Sequence, residues 1–139
     1  MPYISSFIYC DNIQPEITPQ GPTTQIIRPL QVLRPIALPS NYSFAIACNI
    51  MGFDVSKENV LRICFFSPNN ELIHDTGDVK FNASEEAQRE NIGKGVSTIQ
   101  FNLDIRNLVL REEGVHTTKV YMNDYELGEY KIAVIKAGD

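Results

Sequence analysis

The chain has 139 residues, 43% of them hydrophobic and 21% charged, with a formal net charge of −5 at pH 7. That length suits a single domain over residues 1–139 with one core, and these fractions exclude wholesale disorder. The acidic balance, with twelve Lys and Arg scattered singly, argues against a nucleic-acid partner, and no stretch approaches the ~20 apolar residues that cross a bilayer, so no membrane role is expected.

Residues 3–13 read as a first strand. The segment from Pro15 to Pro39 holds six of the eight prolines. Proline offers no ladder donor and keeps the residue before it extended, so this segment is expected as edge or connecting chain with short strands near 23–28 and 30–37. Tyr42, Phe44, Ile46, Cys48 and Ile50 then alternate with Ser43, Ala45, Ala47 and Asn49. A side-chain period of two puts the larger set on one face of a strand over 41–51. The alternation returns at Leu61, Ile63 and Phe65 within a strand over 60–67. Pro68-Asn69-Asn70 turns the chain into residues 71–74, because proline presets one dihedral and asparagine tolerates positive φ. A short strand is expected over 79–81.

Residues 82–95 are the least core-like. Ser84 is placed to cap at most one short helix in 84–92, with Glu85 and Glu86 in its first turn and Gly93 and Gly95 ending it. The segment is longer than a hairpin needs, and long loops often carry binding. Ile99, Phe101, Leu103 and Ile105 mark a long amphipathic strand over 96–105, followed by a corner at 107–110 that plugs one end. Residues 111–114 turn into a strand over 115–122. Asn123-Asp124 closes a hairpin through Tyr125, and Tyr130, Ile132 and Val134 mark the last strand, over 130–135. Seven to nine strands with short connections imply an all-β, antiparallel immunoglobulin-like β-sandwich.

Catalytic patterns are missing. Gly93-Lys94-Gly95-Val96-Ser97 has the wrong spacing for a phosphate loop and precedes a strand. His74 with Asp75 and Asp78 is the only local metal-like set; polar turn residues account for it, so neither metal nor cofactor is expected. Asp124, Glu126 and Glu129 read as a solvated turn rather than a calcium site. Cys64 and His74 sit on neighbouring strands, yet no cation cluster or helix terminus activates the thiol. His116 reads as an exposed residue at a strand start, beside Glu112 and Glu113, which would raise its pKa. Three cysteines, Cys10, Cys48 and Cys64, with no metal spacing read as buried free thiols; a Cys10–Cys48 or Cys48–Cys64 bridge would need an oxidising compartment. The first residues lack the basic start and apolar run of a secretory signal, so a cytoplasmic location is expected. Phe66 and Tyr121 have the parity opposite to the core residues of their strands; if both faces are apolar, either a second layer or another chain covers them.

Ser43-Phe44-Ala45-Ile46 followed by Leu61-Arg62-Ile63, the turn over 67–73, Glu113-Gly114 ahead of a strand and the Leu127-Gly128 return form an ordered set. Across residues 7–135 this order resembles small bacterial and phage β-sandwich proteins of immunoglobulin-like shape and unknown function. The resemblance implies no catalytic residue. The expected function is a non-enzymatic, cytoplasmic interaction module that binds a protein partner or self-associates as a homo-oligomer. Candidate contact residues are Glu85, Glu86, Arg89 and Lys94 in the long loop and Asn123, Asp124 and Tyr125 at the hairpin tip. The alternative is a small-ligand protein that sequesters a nucleotide or metabolite between protomers, with Arg62, Arg106 or Lys94 meeting an anion.

Overall fold

The computed structural model describes residues 2–82 and 97–138. It contains ten strands: β1 (Tyr3–Thr18), β2 (Gly21–Pro29), β3 (Val32–Leu33), β4 (Ser40–Met51), β5 (Asn59–Phe66), β6 (Leu72–Asp75), β7 (Val79–Phe81), β8 (Thr98–Leu110), β9 (Gly114–Met122) and β10 (Tyr125–Val134). The count exceeds the seven to nine expected because the very short β3 and β7 also pair. Among the described residues there is no helix. The short helix expected in 84–92 falls outside them.

Two sheets form, ordered β2-β1-β4-β8 and β3-β10-β9-β5-β6, with β7 also on β5. Every pairing is antiparallel except β3 with β10. The alternating residues explain why the sheets face each other. Phe44, Ile46, Cys48 and Ile50 of β4 and Leu61, Ile63 and Phe65 of β5 are all buried in one core. Phe44 and Phe65 meet across it with ring centroids 5.6 Å apart. Stripping apolar surface from water at ~25 cal/mol per Å² is the main force holding such layers together.

The Pro-rich stretch is more ordered than its composition suggests. β1 runs on to Thr18 and forms a hairpin with β2, in which Pro15 lies opposite Thr24 and Pro22 opposite Ile17. Residues 12–18 of β1 pair with β2 alone, and β2 is an edge strand, so missing proline donors break no central ladder. This arm leans on the outer face of the first sheet, where Gln100 Nε2 donates to Thr24 Oγ1 at 3.3 Å.

The corner expected at 107–110 is instead the end of β8, re-aimed by a bulge. Arg106 and Asn107 stand opposite the single residue Ser43, Asn107 has φ 55°, and its N–H donates to Ser43 Oγ at 3.0 Å. The extra residue turns Leu108 and Leu110 into the core. The Glu113-Gly114 turn has a steric reason: Gly114 sits at φ 131°, and a Cβ there would come within 2.9 Å of the Pro68 ring.

A polar tie crosses the apolar interior. Tyr9 on β1 and Thr118 on β9 share a hydrogen bond of 2.7 Å, and the Tyr9 hydroxyl also donates to the Tyr130 carbonyl at 3.2 Å. Burial pushes the Tyr9 phenol up to about 12, so it stays a neutral donor. Tyr9→Phe should lower the unfolding free energy by about 1–2 kcal/mol, and by clearly less in a Thr118→Val background. Chemical denaturation of the four proteins measures this; equal losses in both backgrounds would place the hydroxyl's worth in another contact.

Candidate outer-face groove

The inward parity of β5 fixes what its other face carries. Val60, Arg62, Cys64 and Phe66 point away from the core and, with Tyr121 of β9, Leu72 of β6, Asp78 and Asp124, line a groove of about 430 Å³ on the outer face of the second sheet. The expected outward aromatics Phe66 and Tyr121 are both there, half-buried. The long-range feature that sequence reading missed is the charge pairing between them.

Arg62 grips Asp75 through Nε to Oδ1 at 3.0 Å and Nη2 to Oδ2 at 2.5 Å. Asp75 Oδ1 also accepts the Gly77 N–H at 2.8 Å and the Cys64 thiol at 3.6 Å. These donors, the Arg62 guanidinium first and the Gly77 N–H second, hold the Asp75 carboxyl well below the usual carboxylate range. Donating to Asp75 likewise raises the Arg62 pKa. The register set by the Pro68-Asn69-Asn70 turn places Asp75 opposite Cys64, one diagonal from Arg62. Lys119 is occupied as well: its Nζ lies 3.7 Å from Glu126 and 5.5 Å above the Phe66 ring.

Of the candidate contact residues, Glu85, Glu86, Arg89 and Lys94 lie outside the described residues. Asn123, Asp124 and Tyr125 do form the β9–β10 tip. Asn123 and Asp124 both take positive φ, 51° and 69°, as a two-residue hairpin turn requires. Asn123 is committed to the fold. Its Oδ1 accepts from Val60 N at 2.8 Å, its own N–H donates to Val60 O at 2.8 Å, and its Nδ2 donates to Asn59 Oδ1 at 3.0 Å. Buried Asn59 in turn holds the Asp54 and Lys57 carbonyls. Asp124 faces the groove, and Tyr125 is 69% exposed.

Several chemical readings of the sequence are revised. His116 is buried rather than exposed; its ring stacks on Phe65 at 5.6 Å and Nδ1 contacts the Gly114 carbonyl at 3.1 Å. Burial lowers its pKa, overriding the upward pull of the Gly114 carbonyl and Glu112. Cys64 and His74 fall on opposite faces of their hairpin, because Cys64 pairs with Asp75 and His74 with Phe65. Burial further raises the Cys64 pKa, which keeps the thiol protonated. Cys10, Cys48 and Cys64 are free. The three free thiols are as expected; Cys10 shares the outer-facing register of Ala45, whereas Cys48 is in the core, so neither bridge considered for an oxidising compartment has facing partners. Of the arginines suggested for an anion, Arg62 is held by Asp75 and Arg106 by Asp104 at 3.1 Å. Among the described residues no three His, Cys, Asp or Glu gather to hold a metal ion, and no helix is long and apolar enough to cross a membrane.

No protein-family model matches the chain, and no curated protein sequence matches it. Solved structures with a similar arrangement include Pseudomonas fluorescens alkylpurine DNA glycosylase AlkC bound to DNA containing an abasic site analog. There the TM-score is 0.48 and the identity 11%, over 96% of this chain and 30% of that one. Another is Bifidobacterium dentium beta-glucuronidase complexed with coumarin-3-O-glucuronide, with TM-score 0.38 and identity 12%, over 95% of this chain and 17% of that one. The chain spans less than a third of either protein, and likenesses this slight bear on neither function nor chemistry.

Two measurements follow from this geometry. Asn123→Gly keeps the positive φ but removes the side chain, leaving buried Asn59 Oδ1 without its donor; it should cost about 1–3 kcal/mol in denaturant unfolding. A smaller loss would mean that Asn59 finds another donor. For His116, the folded pKa lies below the ordinary 6.5. Between the two values the unfolded chain binds more protons, so stability should fall as pH drops through 6.5 toward the folded value. The Asp75 contribution is lost separately, as pH falls below the ordinary carboxylate value of 3.8. His116→Gln should flatten the thermal-stability profile between pH 7 and 5; an unchanged slope would assign it to another group.

Proposed function

We propose that this chain is a non-enzymatic immunoglobulin-like β-sandwich that works by binding another protein through the outer face of its six-stranded sheet. The strand order supports the immunoglobulin-like reading. β4 and β8 stand where strands B and E of that fold pair, and β10, β9, β5 and β6 follow the order G, F, C and C′. Three free buried thiols support a reducing, cytoplasmic setting.

The observation that carries the binding reading is the groove itself. Two half-buried aromatics, Phe66 and Tyr121, sit beside half-exposed Leu72 and around an arginine already oriented by two hydrogen bonds. Aromatic and arginine anchors in a recess are the composition of protein-binding hot spots, and preset side chains lose little freedom on binding. Catalysis has less to work with: the thiol on this face is kept protonated, and the histidines sit elsewhere, His116 in the core and His74 on the opposite side of its hairpin.

Affinity capture from the native host, comparing the wild type with a Leu72→Ala/Tyr121→Ala double variant of matched thermal stability, tests this reading. The partner should be recovered stoichiometrically with the wild type and at least tenfold less with the variant, since hot-spot truncations cost about 2 kcal/mol or more. Undiminished recovery would remove this face from the contact.

A further inference from the structure

We propose that the outer-face groove takes a basic, apolar segment of a partner protein, with a Lys or Arg side chain set between aliphatic or aromatic ones. This rests on the reading of the face as a protein-binding surface and adds the chemistry of what is bound. The floor is apolar, made by Val60, Phe66, Leu72 and Tyr121. Its cations are used internally: Asp75 neutralises Arg62, and Glu126 stands against Lys119. What remains is acidic on balance, two carboxylates against Lys80, which stands opposite Val60 on β7 and is in no described ion pair. Asp78 and Asp124 are exposed at the rim, and no described residue forms an ion pair with either.

The surplus decides between occupants. An anionic segment would meet two carboxylates against the single unpaired lysine, Lys80, that the described residues place beside Val60. A second copy seated groove to groove would set one face with more carboxylates than free lysines against another like it, on a chain whose net charge is already −5. A basic segment satisfies the rim and gains the aromatic faces, which attract cations as Phe66 already does with Lys119. Its apolar neighbours cover Val60 and Leu72. Recognition of this kind is steered by charge and weakens with salt.

The test selects from a phage-displayed library of random octapeptides against the full chain, its Tyr121→Ala variant, and an Asp78→Asn/Asp124→Asn variant. Asparagine is tolerated at the positive φ of Asp124, so that variant keeps its turn. Peptides enriched by the wild type should carry Lys or Arg flanked by apolar residues and should lose binding with Tyr121→Ala. They should bind the double asparagine variant at least about threefold more weakly, because both rim charges are then lost. Tyr121-dependent peptides with no basic preference, or with affinity unchanged in the asparagine variant, would overturn the charge assignment and leave the protein-binding face standing. Failure to enrich any Tyr121-dependent peptide would overturn both. Displacement of the selected peptides by agmatine at comparable affinity would replace the partner segment with a small cation and also overturn the proposal.

Discussion

Phe44 of β4 and Phe65 of β5 meet at 5.6 Å across the two sheets, and the parity they fix propagates through everything else. Side chains in an unbulged strand alternate between faces, so committing Leu61, Ile63 and Phe65 inward commits Val60, Arg62, Cys64 and Phe66 outward. A slip by one residue would bury a guanidinium and expose a phenylalanine. The same constraint runs through β9, where His116, Thr118, Val120 and Met122 are buried and Tyr121 is left beside Arg62 across the ladder. The groove is therefore a consequence of the core register, and its composition is what the core left over.

Much of this was legible in the residues. The alternation in β4 and β5 required only a period of two, and Asn70 and Asn123 were readable as turn residues because asparagine tolerates the positive φ that both adopt. The residues point to an edge strand near 23–28, which β2 is, but the run of β1 on to Thr18 is hidden because prolines argue against strand; it forms where one edge has nothing to lose, with Pro15 and Pro22 in a two-stranded region. His116 was hidden for another reason. A polar residue two positions after a turn reads as exposed, yet Gly114 brings the chain against Pro68 and starts β9 so that His116 points inward onto Phe65. Arg62 and Asp75 are thirteen residues apart, and only the hairpin register shows that they meet. The extent of the groove depended on three strands and two connecting turns arriving together, which no local window contains.

Electrostatics on the outer face separates scaffold from recognition. Arg62 with Asp75 and Lys119 with Glu126 are cross-strand or diagonal pairs, each half exposed, and such pairs add little net stability. Their effect is orientation. Asp75 is bonded by Arg62, by the Gly77 N–H and by the Cys64 thiol, so the guanidinium plane is fixed and its stem lies in the groove beside Tyr121. A guanidinium held in this way offers a flat face to a ring or an aliphatic chain and has given up its fork to a carboxylate. That arrangement disfavours a phosphate-bearing ligand and leaves apolar contact as the main attraction.

The interior shows why the leftover charges matter. Asn59, Ser67, His116 and Thr118 are the buried polar residues, and among the described residues no buried side-chain nitrogen or oxygen lacks a hydrogen-bond partner. An unsatisfied buried group costs ~1–3 kcal/mol, so a fold without one carries no hidden polar demand that a ligand would have to meet inside the core. Under the proposed binding reading, recognition has the surface to work with. There, most charges near the groove are matched across the sheet, while Asp78 and Asp124 are matched by no described ion pair. Two carboxylates bordering an apolar floor gain little from water that a partner's cation could not supply together with its aliphatic stem, which would cover Val60 and Leu72 in the same step.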